Sequence, residues 1–177
     1  GNKVYTTNNF EAPNIMYIVD KKSSSNFSSK EINFSGINLD KDKKYKLFFT
    51  VYADGKSDSH FYIRLNNDTR SNIHRGESMC KFWGSGEYPN NVGNSGVTLG
   101  RQGWSQGGYV SGEVTIQRYR NGNGASVNGK IGISATNPVN CTSYGRFGSG
   151  TNVTSIKLIS TQINFKDGEL TLYALPH

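Results

Sequence analysis

The chain of 177 residues is long enough for one domain with a sizeable core, and its formal net charge is +7. No apolar run approaches the roughly 18 residues of a membrane span, so we predict no membrane insertion. Aromatic residues make up 12% of the chain, which argues against disorder. The apolar residues nowhere keep a helical period for more than two turns, which excludes a helical bundle.

The first residues are polar and lack a regular period. We therefore predict an N-terminal arm or linker at 1–13 and a single β-sandwich domain at 14–177. The chain begins at Gly1 without the apolar core of a signal peptide, so we expect it to be cut from a longer protein.

From residue 14 onward, alternating segments are separated by turn residues, a pattern typical of an antiparallel β-sandwich. The clearest strand is 45–53, in which every second residue from Leu47 to Ala53 is apolar. A turn at 54–58 and a strand at 59–65 follow, and we predict that the two strands pair as a hairpin. Further strands are predicted at 14–19, 31–38, 110–119, 129–136, 153–160 and 169–175, with a helical turn near 140–145.

The alternation breaks down in the stretch 81–109, which is rich in Gly, amides and aromatic residues. Long connections of this kind are often functional. A sugar ring has an apolar face and a rim of hydroxyls, so it suits an aromatic platform beside amide and guanidinium groups. The candidate ligand-binding residues are Trp83, Tyr88, Asn90, Asn91, Arg101, Gln102, Trp104, Gln106 and Tyr109. For each tryptophan, it is equally open that the side chain is buried in the core and binds no ligand.

Two segments carry a family resemblance. The segment 63–72 reads IRLNNDTRSN and is similar to the "lrlNgDt…N-Y" segment in C-terminal domains of bacteriophage tail-fibre and other virion structural proteins. The segment 153–175 resembles the closing hairpin of the same domains, in which "ItsIrI" leads to "GtirLYG". His74 stands near the family's usual Tyr, and Ala174 replaces the final Gly. The resemblance covers roughly residues 40–177.

The resemblance implies a jelly-roll-like β-sandwich in a virion that is assembled in the cytoplasm of a bacterial host, often as a homotrimer. The second face of 45–53 also favours a trimer, because Phe48 and Tyr52 make it too apolar for a fully wet surface. We expect a distal domain of a phage fibre or tail appendage that attaches to a host-surface polysaccharide or teichoic acid. The alternatives are a structural cap on a trimeric stalk without a ligand and, less favoured, a glycan-degrading enzyme.

Other chemistries have weaker support, and we predict no catalytic residue, metal or cofactor. Asp54, Asp58 and Asp68 lie in predicted turns, where Asp bonds local backbone. The sequence contains neither a G-x-S-x-G elbow nor the spacing of a zinc site. The second half of the chain is basic and could attract polyanions, but Tyr119 faces away from its neighbouring arginines, so we predict no nucleic-acid partner.

Two cysteines, Cys80 and Cys141, stand 61 residues apart in the sequence. Their spacing permits either one disulfide or two free thiols. Because virion proteins assemble in a reducing cytoplasm, we predict that both cysteines are unpaired.

Overall fold

The computed structural model describes residues 15–25, 27–55, 57–103 and 107–175. Within these ranges the chain forms two antiparallel sheets, and both sheets contribute to one hydrophobic core. The prediction of an all-β, single-domain protein is confirmed, whereas the predicted arm at 1–13 lies outside the described residues.

The described part of the chain contains twelve strands and very little helix. The strands are β1 (Tyr17–Ser24), β2 (Glu31–Phe34), β3 (Lys44–Asp54), β4 (Ser59–Leu65), β5 (His74–Phe82), β6 (Glu87–Asn90), β7 (Val97–Gln102), β8 (Gly108–Arg118), β9 (Ala125–Ser134), β10 (Val139–Phe147), β11 (Ile156–Ser160) and β12 (Asn164–Ala174). The helical segments are α1 (Leu39–Asp42), capped by the side chain of Asn38, and a 3₁₀ turn at Gly93–Ser95. The larger sheet has the order β1-β12-β3-β8-β9-β10-β5-β6, and the smaller has the order β2-β11-β4-β7.

Strands β3 and β4 lie in different sheets, so the predicted hairpin between them is wrong. β3 pairs with β12 and β8, whereas β4 pairs with β11 and β7. Both strands bury one apolar face in the same core, from opposite sides. Alternation shows which face of a strand is buried but not which sheet holds the strand, and the consecutive strands β3 and β4 belong to different sheets.

Two other sequence predictions also fail. The segment 140–145 belongs to β10, where Val139, Cys141 and Ser143 alternate inward, so the predicted helical turn there is wrong. The stretch 81–109 is not one long connection, because β6 and β7 lie within it. β6 is an edge strand of the larger sheet and β7 an edge strand of the smaller one.

Cys80 and Cys141 form a disulfide, so the prediction that they are unpaired is wrong. They stand directly opposite each other on β5 and β10, with their Cα atoms 4.1 Å apart, and both face the core. Direct opposition in an antiparallel pair brings two side chains within bonding reach. The opposite sheet fits closely over the bond, since a Cβ atom at Gly100 would lie 2.7 Å from the Cys141 sulfur.

The turn that follows β4 is fixed by the side chain of Asn66. Asn66 and Asn67 have φ angles of 53° and 52°, a left-handed conformation that Asn tolerates better than most residues. The Asn66 Oδ1 atom accepts a hydrogen bond from the Thr154 backbone N–H at 2.8 Å, and its Nδ2 atom donates to the Asn152 carbonyl at 2.7 Å. The turn is therefore joined to the segment before β11.

His74 is buried, with 1% of its surface exposed. Its Nε2 atom accepts a hydrogen bond from the Leu65 backbone N–H at 3.0 Å, and its ring lies 5.0 Å from that of Phe147. Burial is the main reason that the pKa of His74 is lowered to about 4. The imidazole is therefore neutral at physiological pH.

Candidate functional site

The outer face of the eight-stranded sheet presents the side chains that alternate with the core residues of each strand. On this face Phe48 of β3 stands between Thr171 of β12 and Glu113 of β8. Two residues along the strands, Thr50 stands between Glu169 and Ser111. The register thus places aromatic, hydroxyl and carboxylate groups side by side.

An open groove of about 1330 Å³ crosses this face over β1, β12, β3 and β8. Its side chains include Phe48, Thr50, Tyr109, Ser111, Glu113, Asp167, Glu169 and Thr171, together with Ser23 and Ser24 of β1 and Ser25, which follows that strand. We call this surface the groove.

An irregularity in β12 shapes one wall of the groove. The pairing of β12 with β3 shifts between Phe165 and Gly168, and Gly168 has a φ angle of 147°. A Cβ atom at Gly168 would lie 2.2 Å from the Thr50 carbonyl oxygen, so only glycine lets the two strands approach this closely. The shift leaves Asp167 beside the groove.

Two aromatic rings in the groove are open to solvent. Phe48 is 37% exposed and packs edge to face against Tyr173, with ring centroids 5.7 Å apart. Tyr109 is 45% exposed and packs in the same way against Tyr52 at 5.2 Å. Each exposed ring is thus held by a second ring, which reduces the entropy that a ligand would have to remove on stacking.

The charged side chains of the groove are mostly acidic. Glu113, Asp167 and Glu169 line it. The Lys46 ammonium lies 3.4 Å from Glu113 Oε2 and 5.4 Å from the centre of the Phe48 ring. Carboxylates accept hydrogen bonds, and the neighbouring hydroxyls both donate and accept them. The groove can therefore bind a polyhydroxylated ligand that also has an apolar face.

Of the residues predicted from the sequence, Tyr109 lies in the groove, while Trp83 and Tyr88 lie elsewhere. Trp83 is 69% exposed in the turn between β5 and β6, and its backbone N–H donates to the Pro138 carbonyl at 3.1 Å. Tyr88 on β6 is 48% exposed and packs against Phe82 at 5.9 Å. Four strand spacings, about 19 Å, separate β6 from the Tyr109 strand β8.

Three predicted amide residues make hydrogen bonds within the chain. Asn90 is buried, and its Nδ2 atom donates to the Tyr88 carbonyl at 3.0 Å. Asn91 is exposed and accepts a hydrogen bond from the Gly93 backbone N–H. Gln102 is buried, and its Nε2 atom donates to the Gly55 carbonyl at 3.3 Å. Trp104 and Gln106 lie outside the described residues.

Arg101, the predicted guanidinium of the site, is engaged by Asp58. Its Nε atom donates to Asp58 Oδ1 at 2.6 Å, and its Nη2 atom donates to Oδ2. This two-pronged hydrogen bond raises the pKa of Arg101 further above its ordinary value. Arg101 lies on the edge strand β7 of the smaller sheet, so it belongs to a different surface from Tyr109.

Apart from Tyr109, the groove side chains of β12 and β8 were missed by sequence reasoning. The mixed face of 45–53 did single out Phe48, but as a subunit contact. The groove could be found only by knowing that β3 pairs with both β12 and β8. This pairing brings together residues that are far apart in the sequence.

No family model, characterised protein or solved structure matches this chain. Within the described ranges no helix is long and apolar enough to cross a membrane. Among the same residues no three His, Cys, Asp or Glu side chains gather as metal ligands would. The function is therefore inferred from the geometry of the chain itself.

Proposed function

We propose that this protein binds a glycan in the groove on the outer face of its eight-stranded sheet. The observation that carries the proposal is the pair of exposed rings, Phe48 and Tyr109, among hydroxyl and carboxylate oxygens in one open groove. A sugar ring stacks its apolar face on an aromatic ring and directs its hydroxyls to polar groups at the side.

The shape of the groove favours a polymer over a small molecule. The groove crosses four neighbouring strands, and three strand spacings amount to about 14 Å. It is open along its length, whereas sites for small molecules usually enclose most of the ligand. We therefore favour several consecutive units of a polysaccharide as the ligand.

We propose further that the sandwich is a jelly roll with two inserted hairpins. In this arrangement eight strands pair first with last, second with seventh, third with sixth, and fourth with fifth. If β5–β6 and β9–β10 are set aside as insertions, the corresponding pairs are β1–β12, β2–β11, β3–β8 and β4–β7. All four of these pairs are neighbours in the sheets.

We propose that the domain is the distal part of a phage fibre or tail appendage that attaches to a host glycan. The two segments that resemble virion domains are joined in space, because Asn66 bonds to Thr154. The exposed apolar run Ile15–Ile18 supports a trimer, since burial against other copies would remove it from water. A disulfide is compatible with a virion that leaves the reducing cytoplasm.

A glycan array tests the proposal with wild-type protein, Phe48→Ala and Tyr109→Ala. We expect each variant to lose about ten- to a hundredfold in affinity, with base–aromatic stacking as the analogue, while the melting temperature changes little. The matched control is Met79→Ala, which removes an exposed apolar side chain from β5, outside the groove. Absence of glycan binding by the wild type would favour the structural cap instead.

Glycan hydrolysis is a second candidate, favoured by the carboxylates of the groove. Glycosidases need two carboxylates that flank the scissile bond. Glu113 and Glu169 line the same groove from β8 and β12, on either side of β3. Release of new reducing ends by the wild type, abolished in Glu113→Gln or Glu169→Gln, would support this activity. Binding without cleavage would exclude it for the glycan tested.

A further inference from the structure

A second cluster of exposed polar side chains lies on the same outer face, over β9, β10 and β5. Arg75 of β5 and Arg146 of β10 stand directly opposite each other, and both are exposed. They border a depression of about 480 Å³ that is also lined by Asn91, Asn128 and Tyr144. We call this surface the arginine site.

Two cations directly opposite each other on neighbouring strands destabilise a sheet. Among the described residues neither Arg75 nor Arg146 forms an ion pair, although Arg75 donates a hydrogen bond to Asn72 Oδ1. The carboxylate among the described lining residues is that of Glu77, which accepts a hydrogen bond from the Tyr144 hydroxyl at 2.7 Å. The two guanidinium groups therefore lack a matching pair of anions within the described chain.

We propose that the arginine site binds an acidic group of the glycan: a carboxylate, a phosphate or a sulfate. Guanidinium groups donate paired hydrogen bonds that match the oxygens of these anions. The amide groups of Asn91 and Asn128 provide further donors at the rim, and the Tyr144 ring is 60% exposed for contact with a sugar. This inference rests on the proposed function, because it names the chemical class of the same ligand.

The arginine site and the groove lie on one continuous face. Three strand spacings, about 14 Å, separate β3 at the centre of the groove from β10. The groove is lined by three carboxylates and suits uncharged hydroxyl groups, whereas the arginine site suits an anion. A polysaccharide that carries acidic groups at intervals would satisfy both surfaces, and a neutral one only the groove.

The first test uses inorganic phosphate alone and so does not depend on a glycan. Phosphate is titrated into ¹⁵N-labelled protein while the Arg side-chain N–H signals and the backbone amides of β5 and β10 are followed by NMR. We expect saturable shifts in the wild type and none in Arg75→Gln/Arg146→Gln. The control, Lys30→Gln/Lys81→Gln, also removes two exposed positive charges. Lys81 lies six residues along β5 from Arg75, roughly 20 Å away.

The second test measures retention on immobilised dextran, dextran sulfate, polygalacturonate and poly(glycerol phosphate). We expect the wild type to prefer an acidic polymer, and the preferred one identifies the acidic group. The arginine double variant should lose this preference by about tenfold or more, since hydrogen bonds to charged groups are the stronger ones. The lysine double variant should keep most of it.

Equal losses in the two double variants would overturn the arginine site, because they would show a general effect of net charge. Absence of phosphate shifts at β5 and β10 would also overturn it, even if neutral glycans bind in the groove. A different result would contradict the proposed function and leave the arginine site intact. In that case phosphate still binds at the arginine pair, but Phe48→Ala and Tyr109→Ala do not change the glycan affinity.

Discussion

The space between the two sheets and the outer face of the larger sheet are built from the same strands, yet they differ in chemistry. In β3, Leu47 points into the core and is fully buried, whereas its neighbour Phe48 points outward into the groove. The interior is closely fitted, with a disulfide beneath Gly100 and a buried His74. The outer face holds rings and carboxylates open to solvent. Alternation along a strand thus separates residues that stabilise the fold from residues available for binding.

The largest effect should come from the disulfide between the neighbouring strands β5 and β10. In Cys80→Ala/Cys141→Ala, we expect the free energy of unfolding to fall by about 4 kcal/mol. The disulfide joins residues 61 positions apart, and without it this loop no longer restricts the unfolded chain. Urea unfolding measures the loss. Glycan affinity should stay unchanged, because the disulfide links β5 and β10 and the groove lies over β1, β12, β3 and β8.

A loss of about 4 kcal/mol is a large part of the stability of a typical domain. The comparison is therefore repeated on the wild type, which is unfolded in urea with and without a reductant. A reduced protein that unfolds at the same urea concentration as the oxidised one would contradict the prediction. A fall in glycan affinity in a folded double variant would show that the interior and the outer face are coupled.

A slightly smaller effect is expected from His74 as the pH falls. Its pKa is about 4 in the folded chain, against 6.5 for a free histidine, chiefly because it is buried. Between these values the unfolded chain takes up a proton that the folded chain does not. Above pH 6.5 His74 therefore does not reduce the free energy of unfolding. As the pH falls from 6.5 to 4, the free energy of unfolding declines by about 3 kcal/mol in total.

Replacement His74→Gln should remove this decline, because Gln does not titrate and retains an acceptor for the Leu65 backbone N–H. Urea unfolding at intervals between pH 7 and 4 measures how the free energy of unfolding of each protein depends on pH. The matched variant is His60→Gln. Burial also lowers the pKa of His60, so this residue also makes the free energy of unfolding decline below pH 6.5. A slope in His74→Gln as steep as that of the wild type would contradict the assignment.

The sequence predicts those strands well in which apolar residues fill the core positions. The pattern at 59–65 coincides with β4, and that at 45–53 lies within β3. In β5 the inward positions are held by His74, Gly76, Ser78 and Cys80, so no apolar alternation marks the strand. In β7 nearly every residue is buried, which also hides the period of two. Strands of these two kinds require knowledge of their neighbours.

The candidate site is less predictable than the fold. Tyr109 belongs both to the sequence-derived set and to the groove, because its residue type is suitable and its strand happens to cross the right part of the sheet. Glu169 and Phe48 are far apart in the sequence, and only the order β12-β3-β8 brings them together. Residue type can thus suggest the chemistry of a site, whereas its position depends on which strands become neighbours.

The smallest expected effect concerns Trp83, one of the two tryptophans that the sequence suggests as sugar platforms. Its ring is 69% exposed in the turn between β5 and β6, well away from the groove. In Trp83→Ala we expect an unchanged melting temperature, because little of the ring is buried, and a glycan affinity within twofold of the wild type. Differential scanning fluorimetry and a titration with the best array glycan measure the two quantities.

Tyr109→Ala is the appropriate companion, since it removes a ring of similar exposure from the groove. If the groove binds the glycan, only Tyr109→Ala lowers affinity, by about ten- to a hundredfold. If only Trp83→Ala lowers affinity, the sugar platform lies at the turn between β5 and β6, where Trp83 and the nearby Tyr88 of β6 are both exposed. Because four strand spacings separate β8 from β6, a single short oligosaccharide is not expected to depend on both rings. Loss in both variants would therefore indicate an extended chain that crosses the whole sheet.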